Sequence, residues 1–176
     1  MQLHRGNLFL VGLPGSGKST LGRLISRRLN KTFYDADTEL ERRLGVSVPV
    51  IFEIEGEAGF RERERAVLAE LAAIQNIVLA TGGGAVLHPD NRECLKLNGT
   101  VVYLHATPQI VYERTRRSKH RPLLNTADPM NRLTELYQLR NPLYQEIADL
   151  VIESDREQVG RLALRLENEF RSSVRA

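Results

Sequence analysis

Leu8-Phe9-Leu10-Val11-Gly12-Leu13-Pro14-Gly15-Ser16-Gly17-Lys18-Ser19-Thr20-Leu21 reads as a strand, a glycine loop and the opening of a helix. Residues 12–19 fit the pattern of Gly, four variable residues, Gly, Lys, then Ser or Thr. The apolar run Leu8–Val11 is short enough for a buried strand, and Leu21, Leu24, Ile25 and Leu29 fall on one helical stripe. Strand, loop and helix in that order turn a string match into a phosphate site. The glycines let successive N–H groups point inward, and the helix N-terminus adds its positive end. Lys18 would reach the β- and γ-phosphates of a nucleotide, and the Ser19 hydroxyl would ligate Mg²⁺. The bland alternative is a chance lysine on a glycine-rich turn, and both flanks argue against it.

Outward from the loop, strands and helices alternate. Thr32–Asp35 reads as a second strand ending in Asp35-Ala36-Asp37, and a helix is expected from Thr38, where Thr38 and Glu41 have capping-box spacing. A further helix restarts at Ser47-Val48-Pro49 and is expected to break at Gly56 and Gly59 before a longer one from Phe60 to Ile74. Strands follow at 76–80, 100–104 and 150–152, with helices at 89–97, 108–117, 130–148 and 156–170. Pro142 predicts a kink or break inside the helix at 130–148, and residues 171–176 a frayed tail. The alternation predicts a three-layer α/β/α fold around a five-stranded parallel sheet, the plan of small nucleotide-utilising kinases.

With 176 residues, 41% hydrophobic and 27% charged, the chain has the composition of one ordinary globular domain. No apolar run approaches the roughly 20 residues of a membrane span. The first strand begins almost at once, so no signal peptide is expected, and the single cysteine, Cys94, fits a reducing cytoplasm. Net charge is +3 with pI about 9.2. Its basic residues are interleaved with acids, as in Arg61-Glu62-Arg63-Glu64-Arg65, which predicts a solvated helical face rather than a nucleic-acid surface.

Ligands of open parallel sheets bind beyond the carboxyl ends of the strands. The glycine loop, Asp35 and Asp37, Gly82-Gly83-Gly84 and the loop after the last strand all fall there. The third strand lacks the acid that supports Mg²⁺ in many nucleotidases, so Asp35 is the nearest candidate; capping is the structural alternative for Asp35 and Asp37. Three consecutive glycines cost backbone entropy and call for close approach of another group. Ser118-Lys119-His120-Arg121-Pro122-Leu123-Leu124 lies in a loop of about a dozen residues, the length at which lids occur, with Arg121 as an internal arginine finger. His4, His88, His105 and His120 show no metal-ligand spacing.

Together, Gly12–Thr20, Phe33-Tyr34-Asp35-Ala36-Asp37, Phe60-Arg61-Glu62-Arg63-Glu64, Ala80-Thr81-Gly82-Gly83-Gly84, Arg121-Pro122-Leu123-Leu124 and Arg140-Asn141-Pro142-Leu143-Tyr144 resemble the shikimate kinases over nearly the whole chain. The resemblance implies phosphorylation of the 3-hydroxyl of shikimate by MgATP, on the route to chorismate and the aromatic amino acids. It implies catalytic roles for Asp37, Lys18 and Arg121, with Asp37 against the attacking hydroxyl. ATP would be held by Gly15, Ser16, Gly17, Lys18, Ser19 and Thr20, with Arg114, Arg121 and Glu157 around the adenine and phosphates. Shikimate would be held by Asp37, Arg61, Gly82, Gly83, Gly84 and Arg140, its carboxylate between the two arginines. Mg²⁺ would bind Ser19 directly and Asp35 through water, and Glu64 would position Arg61. A substrate-binding region at about 36–61 and a lid at about 117–128 within one domain spanning 1–176 are implied. A cytoplasmic monomer that binds neither membrane nor nucleic acid is the expectation. The rivals are another P-loop small-molecule kinase, for gluconate or a nucleoside monophosphate, and a non-catalytic ATP-binding module. The Phe-Arg-x-x-Glu and triple-Gly pair weighs against the first, and the presence of Lys18, Asp37 and Arg121 against the second.

Overall fold

Strand β1, Leu8–Val11, is buried at every position, because helices cover the sheet on both faces. The computed structural model describes residues 6–116, 126–154 and 157–175. In chain order β1 is followed by α1 (Lys18–Leu29), β2 (Thr32–Asp35), α2 (Ala36–Leu44), α3 (Val48–Ala72) and β3 (Ile77–Ala80). A 3₁₀ turn at Ala85–Leu87 leads to α4 (Pro89–Asn98), β4 (Thr100–His105), α5 (Pro108–Thr115), α6 (Pro129–Ile147), β5 (Leu150–Glu153) and α7 (Val159–Arg175). All strand pairs are parallel, in the order β2-β3-β1-β4-β5.

Alternation along the strands sorts the core into two layers. Leu8, Leu10, Val78, Val102, Leu104 and Ile152 pack on one face with Leu21 and Ile25 of α1 and Leu162, Leu166 and Phe170 of α7. Phe9, Val11, Ile77, Leu79, Val101 and Tyr103 face Leu68 and Leu71 of α3, Leu95 of α4, and Leu136 and Tyr144 of α6 on the other. The α/β/α sandwich read from the sequence is therefore the observed one.

Helices α2, α3, α6 and α7 depart from expectation in ways that local contacts explain. Helix α2 begins at Ala36, two residues early, because the Asp35 carboxylate accepts from the Thr38 N–H at 3.0 Å and caps the helix. Glu41, expected in a capping box, instead accepts from the Val48 N–H at 3.2 Å, at the start of α3. Within α3 only Gly56 leaves helical geometry (φ 72°, ψ −179°), and Gly59 is helical. Glu55 and Arg63 form two 2.6 Å hydrogen bonds across that kink, and a Cβ at Gly59 would lie 2.5 Å from the Glu55 Cβ. Helix α6 is not interrupted at Pro142; buried Leu136, Arg140, Tyr144 and Ile147 hold both halves against the core, so packing overrides the lost hydrogen bond. Helix α7 starts at Val159 and runs on to Arg175 rather than fraying at 171. The Phe170 side chain is buried, and Glu167 pairs with Arg28 at 2.6 Å and with Arg171 at 2.9 Å. Residues 117–125, most of the expected lid and all of its Arg-Pro-Leu-Leu run, lie outside the described residues.

Buried Asn7 joins β1 to β3. Its Oδ1 accepts from the Ile77 N–H at 3.0 Å, and its Nδ2 donates to the Ile74 carbonyl at 2.7 Å. Replacing it with Ala leaves both backbone groups without their side-chain partner. Asn7→Ala is expected to cost about 1–3 kcal/mol, read as a lower denaturation midpoint at unchanged m-value.

Candidate active site

The glycine loop connects β1 to α1 beyond the carboxyl end of the sheet. Gly15 and Gly17 adopt φ of 83° and 101°, left-handed values that side chains disfavour, and this turns the chain into the helix N-terminus. Lys18 is buried, and its Nζ donates to the carbonyls of Gly12 at 2.7 Å and Leu13 at 2.9 Å, so the ammonium lies over its own loop. The Ser19 hydroxyl donates to Oδ2 of Asp35 while Oδ1 caps α2. Capping and the contact with Ser19 are thus compatible in one carboxylate. Arg114 of α5 reaches the far side of the loop: Nη1 donates to the Ser16 carbonyl at 3.2 Å and to the Ser154 hydroxyl at 2.7 Å. Ser154 in turn donates to the Ser16 carbonyl at 2.9 Å.

Opposite lies the turn after β3, Gly82-Gly83-Gly84. A Cβ at Gly82 would stand 2.7 Å from Oε2 of Glu64 and 3.1 Å from Oδ1 of Asp37. One at Gly83 would stand 2.5 Å from the Pro14 ring, and one at Gly84 would meet the Arg61 guanidinium. The three glycines therefore admit two carboxylates, the phosphate-loop proline and an arginine to the same few ångströms of backbone. Arg61 Nη1 donates to Glu64 at 2.9 Å and Nη2 to Glu57 at 3.3 Å. Arg140, 2% exposed on α6, adds a second guanidinium, and Phe52 and Phe60 stack at 4.6 Å nearby on α3.

The charges in this cleft are strongly perturbed. Burial, then the neighbouring Glu64 and Asp35 carboxylates, push Asp37 up to about 7, with Lys18 pulling the other way. Burial also raises Glu64 above the usual carboxylate range, opposed by Arg61 and Arg140, and lowers Arg140. Nε of Arg61 and both Nε and Nη1 of Arg140 are buried with no hydrogen-bond partner among the described residues. Buried guanidinium donors left open are costly unless an anion completes them, and a planar carboxylate is the group that fits their fork.

Of the residues read from the sequence, the glycine loop, Asp35, Asp37, Arg61, Gly82–Gly84 and Arg140 line one cleft. Arg114 meets the loop after β5 at Ser154, and the Glu157 carboxylate of that loop pairs with Arg165 at 3.1 Å. Thr20 is exposed on α1. Arg121 lies outside the described residues. His88 caps α4 by accepting from the Asp90 N–H, and His105 sits between Glu153 at 2.6 Å and Tyr137 at 2.8 Å. Sequence reasoning gave Tyr144 no role, although its phenol donates to the Gly83 carbonyl at 2.5 Å. Its position four residues after Arg140, on the same helical face, was the available signal.

The shikimate kinase family model matches residues 14–171. A shikimate kinase of Burkholderia lata is 59% identical over 156 residues, covering 89% of this chain and 85% of its own. One of Thiobacillus denitrificans is 57% identical over 155 residues, with 88% and 85% covered. The solved shikimate kinase of Acinetobacter baumannii in complex with shikimate superposes with a TM-score of 0.93 at 43% identity, over 98% of this chain and 96% of that one.

The glycine turn separates two effects of a single methyl. Gly82→Ala drives Asp37 and Glu64 apart, so turnover is expected to fall at least about tenfold, with nucleotide affinity little changed. Gly83→Ala pushes on Pro14 and is expected to weaken nucleotide binding as well. Calorimetric titration with a nucleotide, beside steady-state rates, distinguishes the two.

Proposed function

The chain belongs to the shikimate kinase family, and from that premise we propose how its cleft carries a phosphoryl group from ATP to the 3-hydroxyl of shikimate. It is an ATP-dependent kinase that phosphorylates shikimate. What supports the assignment of residues is one observation above the others: nitrogens of Arg61, on the same glycine turn as Asp37, and of Arg140 are buried with no hydrogen-bond partner among the described residues. A small acid with hydroxyls completes that arrangement, carboxylate on the guanidinium groups and hydroxyls toward Asp37 and the Gly82–Gly84 backbone.

In this reading the loop N–H groups of Gly15–Thr20 hold the phosphates, and Lys18 leaves its carbonyl contacts for the β- and γ-phosphates. Arg114, with Ser154 and Glu157, borders the adenine. Ser19 and Asp35 suit Mg²⁺, since a hydroxyl beside a carboxylate is the hard oxygen set that ion takes. Ser19 would ligate the ion and Asp35 would hold it through water; when bound it neutralises charge on the phosphate oxygens. Asp37 orients the 3-hydroxyl and accepts its proton as the oxygen bonds to the γ-phosphorus and the bond to ADP breaks. A carboxylate shifted toward neutrality can take that proton near the working pH. Glu64 fixes the Arg61 fork, and Arg121, on a lid at about 117–128, completes the charge around the transferring group. Residues 36–61 form the shikimate side of one domain spanning 1–176. The enzyme acts as a cytoplasmic monomer, without nucleic acid or membrane. That last reading rests on internal pairing of the surface arginines, as in Arg43 with Glu39, Arg63 with Glu55 and Arg65 with Asp90.

ADP release with MgATP should accelerate with shikimate and not with gluconate, AMP or CMP; acceleration by another acceptor would reassign the pocket. Asp37→Asn should lower kcat at least about a hundredfold while ATP affinity stays near normal. A large loss of nucleotide affinity in that variant would show that the carboxylate serves the nucleotide instead.

A further inference from the structure

We infer that Tyr144 is a positioning residue for the acceptor, tying the carboxylate-binding Arg140 to the glycine turn through a single phenol. The inference rests on the proposed shikimate site and deepens it. Tyr144 is fully buried on α6, one helical turn beyond Arg140. Its hydroxyl carries one proton, and that proton is committed to the Gly83 carbonyl at 2.5 Å. The phenol oxygen is left as an acceptor, and Arg140 lies one helical turn back on the same buried face of α6. The inferred chain runs from the Arg140 guanidinium as donor, through the Tyr144 phenol, to the Gly83 carbonyl. One end of the chain sets the guanidinium, whose Nε and Nη1 stay open. The other sets the Gly83 peptide against Pro14. The ring itself is held independently, 5.0 Å from that of Tyr103, whose hydroxyl donates to Asn141 at 2.8 Å. Packing and hydrogen bonding are therefore separable at this residue.

Tyr144→Phe keeps the ring and removes the link. Shikimate KM is expected to rise about tenfold, the scale of losing a hydrogen bond to a charged group, with kcat and the KM for ATP within about twofold. Tyr103→Phe is the control: it deletes a hydroxyl from the same aromatic stack and touches neither Arg140 nor Gly83. It is expected to lower Tm while leaving shikimate KM within about twofold. A double-mutant cycle adds a second reading: in an Arg140→Lys background the effect of Tyr144→Phe on shikimate KM should shrink, because the two act as a unit. An unchanged shikimate KM in Tyr144→Phe would overturn the inference. So would an equal rise in both KM values, a similar selective rise in Tyr103→Phe, or a full tenfold effect in the Arg140→Lys background. An unmodified enzyme that shows no shikimate-dependent ADP release would instead overturn the acceptor assignment on which the inference stands.

Discussion

Gly82-Gly83-Gly84 leaves β3 with Glu64 and Asp37 against its first residue, the Pro14 ring against its second and the Arg61 guanidinium against its third. Each contact is made where a Cβ would otherwise stand, so the shape of the cleft follows from missing side chains. The turn also has its own anchor, because the Gly83 carbonyl accepts from Tyr144. A phosphate loop and a set of charged side chains can approach one another this closely only across backbone. Three glycines give up conformational entropy, and the Tyr144 bond and the surrounding packing hold the result in place.

The same crowding explains the electrostatics. Asp37, Glu64 and Asp35 share a confined cleft, and burial with like charge raises the first of them to about 7. Arg61 partly offsets Glu64 through a 2.9 Å hydrogen bond, but its Nε and two nitrogens of Arg140 stay open in the interior. Free-standing stability would favour filling or pairing those donors. In the proposed reading, keeping them buried and open suits a pocket that an anion completes, and an acceptor carboxylate would supply the missing partners.

How much of this was legible in the sequence depended on how local the determinant was. The phosphate loop, the five strands and the break at Gly56 are set by residues within a few positions of each other, and all were readable. Gly59 misled because a glycine's propensity is weak evidence beside its packing: it is helical where the Glu55 side chain lies against it. Pro142 does not break its helix for a related reason, since the buried residues on both sides of it keep α6 continuous. Asp35 could be read either as a cap or as a site residue, and the structure shows one carboxylate with an oxygen for Thr38 and another for Ser19. Tyr144 was invisible as a partner of Gly83 because 61 residues separate them. The motif around Arg140 drew attention to its arginine, and nothing in composition or spacing tells which carbonyl a buried phenol will find.

Phosphoryl transfer asks little of a protein beyond alignment and charge, and the contacts around residues 14–16 suit that demand. Gly83 packs on Pro14 from the acceptor side, while Arg114 and Ser154 both donate to the Ser16 carbonyl from the other. Pro14 and Ser16 of one loop are thus held from two directions by elements far apart in the chain. In the proposed reading these directions are those of the two substrates. A displacement of the glycine turn would then reach the phosphates through Pro14 without passing through any catalytic side chain. In the proposed reading Arg140, Tyr144, Gly83 and Pro14 are set out in that order from the acceptor side toward the nucleotide loop. Alignment of the two sites, rather than any single acid or base, is then what the packing of α6 against the sheet serves.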